Sequence, residues 1–333
     1  MRRGVTLKDL AKELGLSVSG VSKALRNDPG IGSATVARVR QLAEERNYIP
    51  NLAAIHLKQK RNFKIGVIIP DLFDQFYGLT LRGIEDTAAR HHYSVVFTQT
   101  HEQPDRERAL IETMIRNRID GLLISITTKT DRTDFVDQLE AIGIPVVFFV
   151  RAPRDRPSYN VTADSFEGSR QAITYLIQKG HRRIAHLRGP ATLSLSQVRY
   201  DGYLQALTDH QVPFDADLVK QPDTTPDLVE GAMRALMQLD DPPTAISTFK
   251  SYQTLDAISF MQRDYPARSS SIDFIGFGNL PLFKHIDYRP LAAVDADPFD
   301  LGAEAFGLLH QRMVNGSAPI SQQIKIPCQM TIY

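Results

Sequence analysis

The residues whose types and spacing suit chemistry most clearly form one short run near the start of the chain, Ser17-Val18-Ser19-Gly20-Val21-Ser22-Lys23-Ala24-Leu25. On a helix, Val21, Ala24 and Leu25 share one face, which leaves Val18, Ser19 and Lys23 on the other. That outward set fits the edge of a base pair: Val18 against a thymine methyl, Ser19 on a base or phosphate, Lys23 on guanine O6 and N7. Thr6, Ser17 and Ser22 are short hydroxyls at helix starts, where side chains and backbone amides hold phosphate oxygens. The same hydroxyls would serve as plain caps on a small interaction domain.

Catalytic groupings are missing. There is no Walker loop, no Gly-x-Ser-x-Gly elbow and no His-Glu-x-x-His. The nine histidines are scattered, and His91-His92 and His181 read as structural, not metal-bound. Gly276-Phe277-Gly278-Asn279-Leu280-Pro281 lacks the third glycine of a dinucleotide loop and runs into proline, so it reads as a turn. No enzyme, catalytic residue, metal or cofactor is expected.

The elements that position the first run are legible. Thr6 opens a helix with Leu7, Leu10, Ala11 and Leu14 on one face, and Gly15 ends it. Ser17 caps a second helix; Pro29, Gly30 and Gly32 mark a loop. Ser33 is expected to cap a third helix with Val36, Val39, Leu42 and Ala43 inward. Two helices across a Gly-containing turn, closed by a third, match the helix-turn-helix plan, here an all-α head over residues 1–50. Residues 51–63 read as a linker, or as a short helix that forms only when held, since fewer than about 12 residues are marginal in water.

From Lys64 onward short buried strands alternate with amphipathic helices, in two successive series. This predicts an α/β core of two doubly wound parallel-sheet lobes. The N-terminal lobe is expected to take 64–160 plus 291–320, and the C-terminal lobe 161–290 plus 321–333.

Composition agrees with this division. A chain of 333 residues, 42% apolar and 23% charged, has the make-up of a globular protein with more than one domain. Its net charge of +1 conceals +7 in residues 1–63 against −6 in the remainder, so a basic head sits on an acidic body and is suited to a polyanion. The longest apolar runs, such as Ile65–Pro70, fall far short of the roughly 20 residues of a membrane span. Met1-Arg2-Arg3-Gly4 has no apolar stretch behind it, and a single cysteine, Cys328, suits a reducing cytosol; a cytoplasmic location is expected. A soluble sugar receptor for a transporter would fit the core equally well, but not the basic head or the missing export signal.

Several motifs then resemble one family in order along nearly the whole chain. Val5-Thr6-Leu7-Lys8-Asp9-Leu10-Ala11, Gly15-Leu16-Ser17, Val21-Ser22-Lys23 and Tyr48-Ile49-Pro50-Asn51 resemble the head of LacI/GalR repressors. Ile65-Gly66-Val67-Ile68-Ile69-Pro70-Asp71, Arg118-Ile119-Asp120-Gly121, Gly180-His181-Arg182-Arg183-Ile184-Ala185 and Arg199-Tyr200-Asp201-Gly202-Tyr203 are similar to its core motifs. The resemblance implies a repressor with three partners: double-stranded operator DNA, a small-molecule effector and a second copy in a homodimer. It makes residues 51–63 a hinge helix and linker. It implies that Val18, Ser19 and Lys23 read bases, that Asn51 and Ala54 join the DNA contacts, and that Leu57 wedges into the minor groove. Lys23 stands where arginine is usual and lacks its planar fork; Gly20 replaces a usual threonine, and Ile55 a common hinge arginine.

The resemblance also places an effector between the lobes, at the C-terminal ends of strands. Asp71, Phe73, Phe76, Ser125, Arg151, Asp164, Arg199, Lys250 and Asn279 are the residues expected there. Two family features differ: Lys250-Ser251 replaces Asn-Asp, and Gly276-Phe277-Gly278-Asn279 replaces Gly-Phe-Asp-Asp. Loss of those sugar-binding groups points to an anionic or otherwise altered effector, with Lys250 and Arg199 supplying positive charge; a Lys250 turned to solvent in a degenerate pocket is the alternative. Gel shifts on genomic DNA fragments should show affinity falling by orders of magnitude between about 50 and about 200 mM salt. Salt-insensitive binding would contradict a head that works by phosphate contact.

Overall fold

The computed structural model describes residues 5–48, 61–153, 156–222, 225–315 and 321–333; the hinge residues Asn51, Ala54 and Leu57 lie outside the described residues. The chain divides into two compact units, Met1–Asn62 and Phe63–Tyr333.

In the first unit, α1 (Leu7–Leu14), α2 (Val18–Leu25) and α3 (Ser33–Glu45) pack around Leu10, Ala11, Val21, Ala24, Val39 and Ala43. Thr6 and Asp9 cap α1 reciprocally: Thr6 Oγ1 accepts from the Asp9 amide at 3.3 Å, and the Asp9 carboxylate accepts from the Thr6 amide at 2.8 Å. Gly15 closes α1 at φ +66°, a left-handed position that glycine takes without a Cβ clash. Ser17 Oγ accepts from the Gly20 amide at 3.0 Å and so caps α2. The expected cap at Ser33 is corrected: Gly32 is the N-cap of α3, and no side chain bonds its first amides. Asp28, accepting from Gly30 N at 2.9 Å, closes the preceding turn and brings the chain into helix one residue early.

The second unit contains two six-stranded sheets. The first holds β1 (Lys64–Ile69), β2 (Ser94–Gln99), β3 (Gly121–Ile124), β4 (Val146–Phe149), β5 (Tyr159–Ala163) and β11 (Gln322–Ile326), in the order β11-β5-β4-β3-β1-β2, all parallel. The second holds β6 (Ile184–Leu187), β7 (Val219–Lys220), β8 (Ala245–Thr248), β9 (Asp273–Phe277), β10 (Ala292–Asp295) and β12 (Gln329–Ile332), ordered β12-β10-β9-β8-β6-β7, with only β12 antiparallel.

Strand alternation sends side chains to both faces. Ile65, Val67 and Ile69 of β1 meet α4 (Gln75–Arg90) and α12 (Pro298–Asn315); Ile68 meets the cluster of α5 (Pro104–Arg116) and α6 (Phe135–Ala141). In the second lobe, α7 (Ser165–Gln178) and α8 (Ser194–Asp209) cover one face, and α9 (Pro226–Met237) and α10 (Ser251–Asp264) the other. Helices on both faces explain why β3, β4, β6 and β8 are buried along their whole length.

Sheet membership departs from the expected lobe boundaries. β10, inside the 291–320 segment assigned to the N-terminal lobe, pairs with β9 in the second sheet. β11, inside the 321–333 segment assigned to the C-terminal lobe, pairs with β5 in the first, and β5 itself runs on to Ala163. The chain thus changes lobes three times, after Ala163, Asp295 and Ile326. The strand β12 and the short helix α11 (Pro266–Ser269) had no clear sequence signal. Parallel pairing is decided by neighbours remote in sequence, so apolar runs locate a strand without naming its sheet.

Glycines set one close approach. A Cβ on Gly83 of α4 would lie 2.1 Å from the Phe299 carbonyl oxygen, and one on Gly302 of α12 would lie 2.1 Å from that of Thr80. The two helices therefore cross backbone to backbone. Gly302→Ala should cost at least about 1–3 kcal/mol of stability, the usual toll of overpacking, read from urea unfolding of the purified protein. An unchanged midpoint would contradict the close crossing.

Candidate ligand cleft and nucleic-acid interface

On the head, α2 turns Val21 and Ala24 fully inward while Val18, Ser19 and Lys23 are exposed, Val18 at 42%. Ser17 Oγ also shares a hydrogen bond with Ser19 Oγ at 3.1 Å, and Ser22 is half-buried, its carbonyl accepting from Arg26 Nε at 3.2 Å. Thr6 Oγ1 donates to the Asp9 carboxylate at 2.7 Å. The six expected head residues thus lie at or on α1 and α2: Val18, Ser19 and Lys23 on the exposed face of α2, Ser22 half-buried beside them, Thr6 capping α1 and Ser17 capping α2.

In the second unit a cleft of about 1080 Å³ opens between the lobes, at the upper end of ordinary ligand sites. Asp71, Phe73, Phe76, Arg151, Arg199 and Lys250 line it, as expected. The loop after β1 is pinned by backbone donors: Asp71 accepts from Phe73 N at 2.9 Å, Gln99 from Leu72 N at 2.9 Å, and Asp74 from Phe76 N at 3.1 Å. Phe73 remains 89% exposed at the rim, and its carbonyl accepts from Tyr252 Oη of the opposite lobe at 3.1 Å.

Three expected residues do not line the cleft. Ser125 is fully buried beneath it, bonded to Tyr77 Oη at 2.8 Å, and so supports a lining residue. Asp164 sits at the crossing between lobes, where its amide donates to Ile326 O at 2.8 Å and its carboxylate lies 3.8 Å from Lys325 Nζ. Asn279 is drawn into the end of β12: its Nδ2 donates to Thr331 Oγ1 at 3.1 Å and its Oδ1 accepts from Tyr333 Oη. Each is taken up by a tertiary partner invisible in the linear order.

The cations differ from one another. Arg151 forms an ion pair with Glu102 at 2.7 Å, so its charge is already answered. Lys250, at the N-cap of α10, faces the cleft, and its charge acts on Asp256, another lining residue. Arg199 is unlike both. Its guanidinium lies between Phe277, 3.7 Å from the ring centroid, and Phe249, at 4.8 Å. One arm donates to the Phe249 carbonyl, while the enclosed Nε has no partner among the described residues. Among the described residues no carboxylate lies within ion-pair distance of it. Burial pushes its pKa down from the ordinary range to about 9, so it remains charged at neutral pH, with the charge of Asp74 acting on it only from beyond ion-pair distance.

Sequence reasoning missed Asp295, which lines the cleft from the end of β10. Its Oδ2 accepts from the Asn279 amide at 3.2 Å, and burial raises its carboxyl to about 6. A signal exists in its place at the end of an apolar run, residues 291–294, since ligands gather just past strand ends. With Asp71, Asp74, Glu102 and Asp256 it brings the lining carboxylates to five, against four cations, Lys129, Arg151, Arg199 and Lys250. The cleft is therefore mixed, not cationic.

A three-helix head with an exposed reading face, joined in one chain to a two-lobed core with a ligand cleft, defines a DNA-binding regulator of the periplasmic-binding-protein-like kind. The family model for bacterial regulatory proteins of the lacI family matches residues 6–51, and that for periplasmic binding proteins and the sugar-binding domain of the LacI family matches 62–332. The chain belongs to the LacI family. It is 30% identical over 309 residues to the HTH-type transcriptional repressor CytR of Escherichia coli (strain K12), covering 92% of this chain and 89% of that protein. Catabolite control protein A of Priestia megaterium is 29% identical, over 97% of this chain and 96% of its own. The lac repressor dimer bound to operator and the anti-inducer ONPF shares the fold, with a TM-score of 0.83 at 22% identity, covering 99% of this chain and 98% of that one. The protein is thus a DNA-binding transcriptional repressor and not an enzyme. No described helix is long and apolar enough to cross a membrane.

Asp295 carries a measurable cost. Its folded carboxyl, at about 6, keeps its proton to higher pH than the ordinary value of 3.8, so stability falls as pH rises between those values and stays lowered above them. Asp295→Asn should therefore raise the stability of the unliganded protein at pH 7.5 by roughly 1–3 kcal/mol. The gain should vanish near pH 4 in urea titrations; a gain that is the same at both pH values would remove the desolvation account.

Proposed function

We propose that this repressor is an operator-binding homodimer acting in the cytoplasm, whose hold on double-stranded DNA is set by a small molecule in the interlobe cleft, seated by an anionic or acceptor-rich group on Arg199. The observation that carries the effector part is the guanidinium held between Phe249 and Phe277 with its Nε unpartnered. Leaving such a charge unanswered is costly, and a ligand acceptor relieves that cost on binding. Lys250 adds positive charge at the same mouth.

On the DNA side, Val18, Ser19 and Lys23 read bases, and Thr6, Ser17 and Ser22 hold phosphates beside their capping duties. The exposure of Val18, a β-branched side chain on an otherwise polar helix face, supports this assignment. The homodimer reading draws support from β2, an edge strand left without a neighbour on one side, with Phe97 44% exposed. The effector controls operator affinity only to the extent that it binds one arrangement of the lobes better than the other.

A thermal-shift screen of sugars, sugar phosphates, sugar acids and nucleobases tests the cleft. Ligands that raise the melting temperature of the wild type should lose at least tenfold in affinity in Arg199→Met. Stabilisation by plain neutral hexoses alone would overturn the reading.

A further inference from the structure

We infer that Asp295 is the acceptor half of the ligand site, and that with Arg199 as the donor half it selects a polyhydroxylated acid, carboxylate on the guanidinium and hydroxyl on Asp295. This rests on the reading that Arg199 receives an acceptor group of the effector.

The two groups belong to one piece of architecture. Phe277 ends β9 and pairs with Val294 in β10, so Asp295 follows directly at the neighbouring strand end. Arg199 covers the Phe277 ring at 3.7 Å. Both charged groups line the same interlobe cleft. The backbone beyond β9 turns at Gly278, φ +97°, where its amide donates to Val294 O at 2.9 Å and the next amide, of Asn279, holds Asp295 Oδ2. A residue with a side chain at 278 would be strained at that φ and would crowd Ser251 Oγ at 3.0 Å.

Asp295 has acceptor capacity to spare. A carboxylate takes about four hydrogen bonds, and among the described residues Asp295 receives only the one from Asn279. Burial holds it at a cost in its ionised form, so a donor from the ligand is favoured. Hydroxyls are the uncharged donors that suit a cleft whose lining already carries four cations, since an ammonium group would be repelled by them. The other end follows from charge balance. A guanidinium offers a planar fork to a carboxylate or phosphate, but five carboxylates against four cations around the cleft disfavour a dianion. A single carboxylate is the better match. Phe73, Phe76, Phe249 and Tyr252 supply apolar walls for the carbon face of a sugar chain or ring.

The test is isothermal titration of the full-length protein at pH 7.5 with D-gluconate, D-galactonate, D-glucuronate and D-galacturonate, with D-glucose and inorganic phosphate as controls. At least one of the four acids should bind, D-glucose and phosphate at least tenfold more weakly. Asp295→Asn should weaken that acid tenfold or more while its urea midpoint is no lower than wild type, which separates lost recognition from lost folding. No binding of any of the four acids overturns the inference. So does an acid whose affinity falls in Arg199→Met yet is unchanged in Asp295→Asn, an outcome that leaves the broader reading of Arg199 intact. Binding of D-glucose alone would overturn both.

Discussion

A buried positive charge held against two aromatic rings, with a backbone carbonyl as its only acceptor among the described residues, is the interaction on which the cleft wall of the C-terminal lobe depends. Arg199 comes from α8, Phe249 from the end of β8, and Phe277 from the end of β9, so the guanidinium ties together three elements of one lobe. Ring faces soften the loss of water but do not replace a hydrogen-bonding anion. The unliganded protein therefore holds free energy that the right ligand can release, and the same holds, with opposite charge, for Asp295. Arg151 and Glu102 show the alternative arrangement on the facing lobe: a pair that answers itself and asks nothing of a ligand.

The lobes that carry these groups are joined at three crossings of the chain, and Tyr252 reaches from the C-terminal lobe to the Phe73 carbonyl of the N-terminal lobe. A ligand that touches both walls acts on the relative position of two well-packed bodies, each with helices on both sheet faces. Close-packed bodies of this sort respond by moving as units, since their interiors deform little. The backbone contact of α4 with α12 at Gly83 and Gly302 contributes to that stiffness in the N-terminal lobe.

The head obeys a different economy. Its core consists of a few small and medium side chains, so caps contribute a large share of its order. Thr6 and Ser17 are engaged in those caps. Hydroxyls in such positions keep lone pairs for outside partners while fixing the start of the helix that presents Val18, Ser19 and Lys23.

Local rules explain what the sequence by itself determined. Caps and periodicity located all three head helices, and apolar runs showed short buried strands alternating with helices in the core, because these signals depend on near neighbours along the chain. The outward face of α2, and Asp71, Phe73, Phe76, Arg151 and Lys250 at the cleft, were legible for the same reason, each sitting at a strand end or a helix start; Arg199, inside α8, was legible only through the family resemblance. Which sheet owns β10 and β11 was decided only by tertiary pairing, since equal apolar runs fit either lobe. So was the fate of Ser125, Asp164 and Asn279, each captured by a distant partner, and so was the place of Asp295, whose carboxylate gained meaning only when β10 settled beside β9. Charge pairing is a matter of distance in space, and spacing along the chain does not carry it.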